Sequence, residues 1–99
     1  MIVLAVRFQV KPEHHKETIE AMKVVRAATI QEKGCVEYSF YSDFDDTNKV
    51  FLFEEWESQA SLEAHFETSH LAEFRAQMER FLVSPPSIRR YQVSDAGPL

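Results

Sequence analysis

Two histidines in the second half of the chain, His65 and His70, are the side chains best suited to chemistry. Imidazole titrates near neutral pH, so a neutral ring can accept a proton and later return it. In one continuous α-helix, residues five apart lie about 140° from one another around the axis. Thr68 and Ser69 stand between the two rings and predict a break in the helix. With that break both rings can reach one cavity above a sheet, and we take them as candidate catalytic residues.

Both histidines also have a purely structural interpretation. His65 can pack beside Leu62 while it donates to a backbone carbonyl, and His70 can fill the first turn of its helix. The helical spacing of the surrounding apolar residues is compatible with either role.

Glu54 is an acidic residue in an apolar setting, because it shares a predicted strand face with Leu52 and Trp56. If that face meets the helices, its carboxylate is buried and needs either a partner or a raised pKa. The candidate partners are Arg7, Arg26 and Tyr38. Glu54 then either polarises a histidine or a substrate, or it forms a structural ion pair.

A metal site would require a third ligand beside His65 and His70, and Glu54 is the carboxylate considered for it. The spacing of these three residues matches no familiar zinc or iron motif, so the sequence predicts no metal. The adjacent His14 and His15 are expected to be a solvated pair on an exposed helix start.

Aromatic residues occur at spacings that could line a slot for a flat ring substrate, although the same spacings are typical of an ordinary core. They are Tyr38, Phe40, Trp56, Phe66 and Phe74. With two glycines in the chain, no glycine-rich phosphate loop and no nucleophile elbow can be recognised. Dinucleotide-dependent enzymes and serine hydrolases are therefore not expected.

Composition predicts one small domain, residues 1–99, with a net charge of −5 and a 44% hydrophobic content. The densest basic cluster is Arg89-Arg90, which is too small to predict nucleic-acid binding. Neither a signal peptide nor a bilayer-spanning segment is recognisable. The only cysteine, Cys35, excludes an internal disulfide and is expected to be inert. We expect a cytoplasmic protein.

The chain alternates between strand-like and helix-like segments. A strand over residues 2–10 is followed by a helix from Pro12 to about Lys33, and then by strands Cys35–Ser42 and Val50–Trp56. Ser58 and Thr68 can cap two consecutive helices, and residues 88–93 form the last strand. The order β-α-β-β-α-β, with the second helix split, predicts an α+β ferredoxin-like fold with an antiparallel sheet and its helices on one face.

The opposite face of this sheet carries Tyr41, Phe51 and Phe53, which is too apolar a set to leave in water. A second copy of the sheet packing there would cover it. The sequence therefore predicts a homodimer with a core between two sheets.

Two segments carry a family resemblance. They are EEWESQASLEAHFETSHLAEF (Glu54–Phe74) and EKGCVEY (Glu32–Tyr38), preceded by a first strand that ends in Val-Lys-Pro. With these motifs the chain resembles the antibiotic biosynthesis monooxygenase domain over nearly its whole length, and it is especially similar to small quinol-monooxygenase-like members.

The resemblance implies a dimeric α+β barrel in which dioxygen oxidises an electron-rich quinol, anthrone or polyphenol without a metal, flavin or haem. It makes His65 and His70 the expected proton carriers. It also implies that an aromatic substrate contacts Tyr38, Glu54, Trp56, Phe66 and Phe74.

Other members of this fold leave two alternatives. One similar branch isomerises a phosphorylated metabolite, for which Lys49, Arg89 and Arg90 would have to supply a phosphate site. Stress-responsive barrels share the fold without a defined reaction. Haem-degrading relatives carry a Trp where this chain has His65, and a haem-ligating His near Arg75, so haem cleavage is not expected.

Overall fold

The computed structural model describes residues 1–99 as one antiparallel sheet with helices packed against one of its faces. The strands are β1 (Ile2–Gln9), β2 (Cys35–Ser42), β3 (Lys49–Trp56) and β4 (Ser87–Gln92). They lie in the order β2-β3-β1-β4. The helices are α1 (His15–Thr29), α2 (Gln59–Phe66) and α3 (Ser69–Phe81). The predicted β-α-β-β-α-β order, with its second helix split, is confirmed.

The first helical segment differs from the prediction at both ends. Pro12–His14 form a 3₁₀ turn, and the α-helix ends at Thr29 rather than near Lys33. The backbone N–H groups of Gln31 and Glu32 bond three residues back, as in the 3.0 Å bond from Glu32 to the Thr29 carbonyl. Gly34 closes the turn with φ of +87°, a conformation that other residues adopt with strain. Glu32 is therefore held in a turn rather than in a helix.

Side-chain alternation on the central strands produces one apolar face. β1 and β3 pair so that Ile2 lies opposite Trp56 and Leu4 opposite Glu54. These four side chains point to the helices and are buried. The helices contribute apolar residues at helical spacing, including the buried Leu62 of α2. The only core therefore lies between the sheet and the three helices.

Two hydroxyl groups set the starts of α2 and α3, and the second of them, at Thr68, sets the break between these helices. The backbone N–H of Ser61 donates to Ser58 Oγ at 3.1 Å, and that of Leu71 donates to Thr68 Oγ1 at 3.4 Å. Each bond satisfies a donor that the first turn of a helix leaves unpaired. The predicted caps are confirmed, and they place His70 in the first turn of α3.

The outer face of the sheet carries no helix. Phe51 and Phe53 are half-buried there, Tyr41 is exposed, and the Arg7 guanidinium lies over the Phe51 ring, 5.1 Å from its centre. Every residue of β4, at the sheet edge, is exposed. None of the helices combines the length and apolar character needed to cross a bilayer.

Candidate active site

A cavity of about 740 Å³ lies between the inner sheet face and the helices α2 and α3. Most of its lining is apolar, and six ionisable residues line it as well, including Glu79 of α3 and Arg90 of β4. Four of the six are central to the site. They are Tyr38, Glu54, His65 and Arg75. The exposed part of the lining comes from the outer turns of α2 and α3 and from residues 83–90. The cavity has the size and character of a site for a small aromatic molecule.

Glu54 is buried in the cavity wall, and its partner is not one of those predicted. The indole Nε1 of Trp56 donates to Glu54 Oε1 at 2.9 Å. Arg7 lies on the other face of the sheet, and neither Arg26 nor Tyr38 bonds the carboxyl group. Residues two apart on a strand face the same side, which explains why Trp56 is the partner.

Burial raises the pKa of Glu54 to about 7. The Trp56 hydrogen bond opposes this shift and the charge of Glu32 adds to it, while the Arg75 guanidinium lowers the pKa. A carboxyl group in this environment can hold or release a proton near neutral pH.

His65 is almost completely buried, with 1% of its surface exposed. Its Nδ1 lies 2.7 Å from Oε2 of Glu32. Because a carboxylate can only accept, Nδ1 carries the proton and Nε2 of the neutral ring has a free lone pair. Burial lowers the pKa of His65, and the bond to Glu32 opposes that shift. The ring is therefore neutral and oriented, and Nε2 is the nitrogen available to a molecule in the cavity.

His70 meets the same carboxylate from the other side, with Nε2 2.8 Å from Oε2 of Glu32. The break at Thr68 brings the two imidazole centres to within 6.1 Å. His70 does not line the cavity, however, because its ring points towards the turn after α1. The sequence places both rings at one cavity, whereas the structure places only His65 there and makes His70 a ligand of Glu32.

Glu32 is the residue that sequence reasoning missed. It is 33 residues from His65 and 38 from His70 in the chain, and only the folded turn before β2 brings it between them. It lies within the EKGCVEY segment, but no local pattern distinguishes it from the other acidic residues of the chain. Its importance follows from a long-range contact.

The predicted aromatic residues take different positions around the cavity. Tyr38, Phe66 and Phe74 line it, whereas Trp56 lies behind the wall with no exposed surface. The Trp56 indole packs against the His65 ring with centres 4.7 Å apart, and its N–H donates the hydrogen bond to Glu54. Burial raises the pKa of Tyr38 and keeps its hydroxyl protonated.

Of the other groups considered for chemistry, Arg90 lines the cavity, whereas Arg89 and Cys35 do not. Burial, together with the charges of Glu32 and Glu54, raises the pKa of the Cys35 thiol to about 11. Arg89 and Arg90 point to opposite faces of β4, because their partners on β1 are Ala5 and Leu4. The cations considered for a phosphate site therefore do not form a cluster.

Sequence and structure comparisons agree with one another. A profile of the family described as antibiotic biosynthesis monooxygenase matches residues 1–77. The uncharacterised Synechocystis protein sll1783 is 33% identical over 98 residues, which are 99% of this chain and 67% of that protein. "Putative monooxygenase Rv0793" of Mycobacterium tuberculosis is 25% identical over 87 residues, 88% of this chain and 85% of that protein.

Solved structures share the fold of this chain. A conserved protein from Methanosarcina mazei has a TM-score of 0.88 and 27% identity, covering 92% of this chain and 90% of that one. The Rv0793 structure has a TM-score of 0.91 at 24% identity and covers 98% of both chains. The matched family profile covers the first three strands, all of the Glu32, Glu54, His65 and His70 positions, and most of α3. This chain belongs to the antibiotic biosynthesis monooxygenase family.

Proposed function

We propose that this chain is a cofactor-independent monooxygenase that oxidises an electron-rich quinol, anthrone or polyphenol with dioxygen. One observation carries the proposal. A neutral histidine, oriented by the partly buried carboxylate of Glu32, lines a mostly apolar cavity large enough for a fused-ring substrate. The family name supports a monooxygenase-like function in general, and the site supports the narrower choice of substrate.

The cavity suits a flat, mostly apolar ring system that has hydroxyl or carbonyl groups at its edge. Apolar side chains such as Leu52 and Phe74 would cover the ring faces, and polar groups from the sheet and the helices line the same cavity. Exclusion of water by such a wall strengthens every electrostatic contact at the reacting atoms.

His65 acts first in this scheme. Its Nε2 removes a proton from the substrate, and the Glu32 carboxylate stabilises the imidazolium that forms. Because Nδ1 is held by Glu32, the ring does not have to change tautomer or orientation during the transfer. Glu32 therefore acts as a positioning residue through His65.

The substrate anion then supplies the electrons. It transfers one electron to dioxygen, and the resulting substrate radical and superoxide combine to a peroxide. His65 returns its proton to the peroxide. For a CH₂ carbon, loss of water then leaves a carbonyl, so that SH₂ + O₂ gives S=O + H₂O. All four electrons come from the substrate carbon, and no other reductant is needed.

Glu54 is the second proton carrier at the cavity wall. Its neutral form can donate to the peroxide oxygen that leaves as water, and its raised pKa makes this form available near neutral pH. Arg75 lines the same cavity, so its charge also favours the anionic species formed during the reaction.

The proposal includes a homodimer. The partly exposed Phe51 and Phe53, with the exposed Tyr41, form an aromatic face that no helix of the same chain covers. A second copy packed face to face would bury these rings, and its effect on the cavity would be indirect because the cavity lies on the other side of the sheet.

Oxygen uptake with menadiol or anthrone tests the function. The chain, treated with EDTA, is expected to consume oxygen above the rate of autoxidation in buffer. His65→Gln should lower kcat by about 100-fold or more, because general-base catalysis contributes about 10²–10⁴. His14→Gln, which removes an exposed imidazole bonded to Glu17, is the matched control and should keep full activity. Uptake that is absent, or equal in wild type and His65→Gln, would reject the proposal.

A second candidate is an isomerase that moves a proton between two carbons of an oxygenated metabolite. It is favoured by the presence of both a neutral base, His65, and a carboxyl of raised pKa, Glu54, at one cavity. Arg89 faces away from the cavity, so of these two adjacent arginines only Arg90 could contact a phosphorylated substrate there. Turnover under nitrogen, with no oxygen consumed in air, would select the isomerase.

A further inference from the structure

Three donor atoms from three separate parts of the chain converge beside the cavity. They are Oε2 of Glu32 in the turn after α1, Nδ1 of His65 in the last turn of α2, and Nε2 of His70 in the first turn of α3. All three atoms lie within 4.8 Å of one another. Both nitrogens point at the same carboxylate oxygen, so their lone-pair or N–H directions meet in one small volume.

Two imidazoles and one carboxylate form a ligand set with a defined preference. Imidazole nitrogen suits Zn²⁺ and its transition-metal neighbours, whereas Mg²⁺ and Ca²⁺ require mostly oxygen ligands. We propose that Glu32, His65 and His70 form a binding site for one divalent transition-metal ion of the zinc type, with its remaining positions open to water. The sequence did not suggest this site because Glu54 was the third ligand considered.

Two movements separate the present arrangement from a coordinated one, because the carboxylate must withdraw and the two histidine nitrogens, which lie within 4.8 Å of one another, must approach to about 3.3 Å. Zinc bonds of about 2.0–2.2 Å to nitrogen and oxygen place neighbouring ligand atoms about 3.3 Å apart. The present separations from Glu32 are 2.7 Å to His65 and 2.8 Å to His70, so the carboxylate must withdraw by about 0.5 Å. The Glu32 side chain is partly exposed, and its carboxylate can withdraw by side-chain rotation alone.

The charge of Glu32 and the exposure of the cluster to solvent also favour the binding of a cation. The carboxylate of Glu32 has no lysine or arginine within salt-bridge distance, so its charge is not neutralised by a fixed cation. Arg75 is close enough to lower the pKa of His65 and therefore opposes a bound cation. The side chains of Glu32 and His70 are 15% and 23% exposed, so an ion can reach the cluster from solvent without passing through the cavity.

Metal binding has a consequence for His65, and this part rests on the proposed function. A metal on Nδ1 requires the proton of the neutral ring to move to Nε2. Nε2 then has no lone pair for the substrate, and the base is lost. Because Glu32 and His70 do not line the cavity, the ion would lie behind His65 and act as an inhibitor.

The other histidines of the chain provide a comparison. His14 bonds only Glu17, and His15 bonds only Asn48, so each offers one imidazole and one oxygen. Neither pair provides the third ligand that tight binding requires. They serve as internal controls for adventitious binding.

Cobalt absorption tests the site directly. Tag-free protein, stripped with EDTA and dialysed, is titrated with Co²⁺ at pH 7.5, and the visible d–d bands are followed. The expected result is one Co²⁺ per chain, displaced by one equivalent of Zn²⁺. His70→Gln should weaken Co²⁺ binding by more than about 10-fold, and Glu32→Gln likewise. His14→Gln should bind as the wild type does.

The outcomes separate the site from the proposed reaction. Absence of the cobalt bands, or equal affinity in the wild type and His70→Gln, would overturn the site. If the variants fail to fold, the ¹⁵N resonances of the wild-type imidazoles decide, since Zn²⁺ must shift those of both His65 and His70. Zinc inhibition of oxygen uptake that disappears in His70→Gln supports the inhibitory role. Zinc binding without inhibition would leave the site intact and reject His65 as the base.

Discussion

The indole Nε1 of Trp56 donates a 2.9 Å hydrogen bond to Oε1 of Glu54, two residues earlier on the same strand. Trp56 also packs against the His65 ring, so one buried side chain holds both groups that we propose to carry protons. The bond uses one oxygen of Glu54, and Oε2 makes no hydrogen bond within the chain. That oxygen is the one available to a molecule in the cavity.

Glu54 should make the stability of the protein fall as pH rises. Its pKa is about 7 in the folded chain and near 4.5 when unfolded, so the folded state binds the proton more tightly. The stabilisation is complete below the unfolded pKa and is lost as pH rises through about 7. Between pH 5 and pH 8 this removes about 2–3 kcal/mol of the free energy of unfolding.

Urea denaturation at the two pH values checks this prediction. Glu54→Gln should abolish the pH-dependent stabilisation that Glu54 provides. The difference between wild type and variant in the free energy of unfolding should therefore change by about 2–3 kcal/mol between the two pH values. Glu55→Gln changes the neighbouring carboxyl, on the outer face of the sheet, and serves as the control. A wild type and a Glu54→Gln variant with parallel pH profiles would contradict it. His65, whose pKa is lowered, acts in the opposite direction and loses stability as pH falls, but it is present in both proteins.

Glu32→Gln should lower kcat more than it changes KM. The amide lacks the charge that stabilises the His65 imidazolium, and its oxygen can no longer serve as an ionic acceptor for two imidazoles. Because Glu32 does not line the cavity, substrate binding should be nearly unaffected. We expect a fall in kcat of about 10–100-fold in steady-state oxygen uptake. Glu37→Gln is the control, and a pure KM effect would be evidence against the positioning role.

Gly34→Ala should destabilise the protein. The residue has φ of +87°, and a Cβ placed on it would lie 2.1 Å from Ser61 Oγ and 2.6 Å from Ser61 Cβ. The strain and the contact together should cost about 2 kcal/mol or more, measured by the midpoint of urea unfolding. Gly97→Ala is the matched control, because nothing lies within 4 Å of it, and it should change stability by less than about 0.5 kcal/mol. Equal midpoints for the two variants would show that the turn tolerates a side chain.

Phe53→Glu should dissociate the proposed homodimer. Phe53 is half-buried at the centre of the outer sheet face, opposite Ala5 on β1, and a carboxylate there would be desolvated in a face-to-face pair. Light scattering on a sizing column should give the mass of one chain. Phe44→Glu, on the exposed hairpin between β2 and β3, replaces an equally apolar residue and should leave the dimer intact. A Phe53→Glu variant that elutes with the dimer mass would remove the aromatic face from the interface.

Local signals in the sequence were sufficient for the fold. Alternation marked the strands, and the hydroxyl residues Ser58 and Thr68 marked the starts of α2 and α3, because an N-cap acts within three residues of itself. The end of α1 was misplaced because Gly34, taken as the helix stop, closes a turn that begins at Thr29. A glycine predicts a residue with positive φ, but it does not predict where the preceding helix ends.

The site was predictable only in part. Glu54, Trp56 and His65 follow one another closely in the chain, and strand alternation brought the first two to the inner face. Glu32 could not be found in this way, since its contacts with His65 and His70 depend on how the turn after α1 packs against two later helices. The partner of Glu54 was also missed, because the predicted partners did not include the indole N–H of Trp56.

The residues at the exposed strand β4 disfavour aggregation of this chain. β4 is an outermost strand of the sheet, and its outer side offers unpaired backbone groups to any other extended segment. Arg89 and Arg90 place charge on both faces of this edge, and Pro85 and Pro86 directly before it lack the N–H that an added strand would need. Growth by strand addition is thereby disfavoured at β4. The proposed association through the aromatic face would instead give a closed pair that cannot extend into a filament.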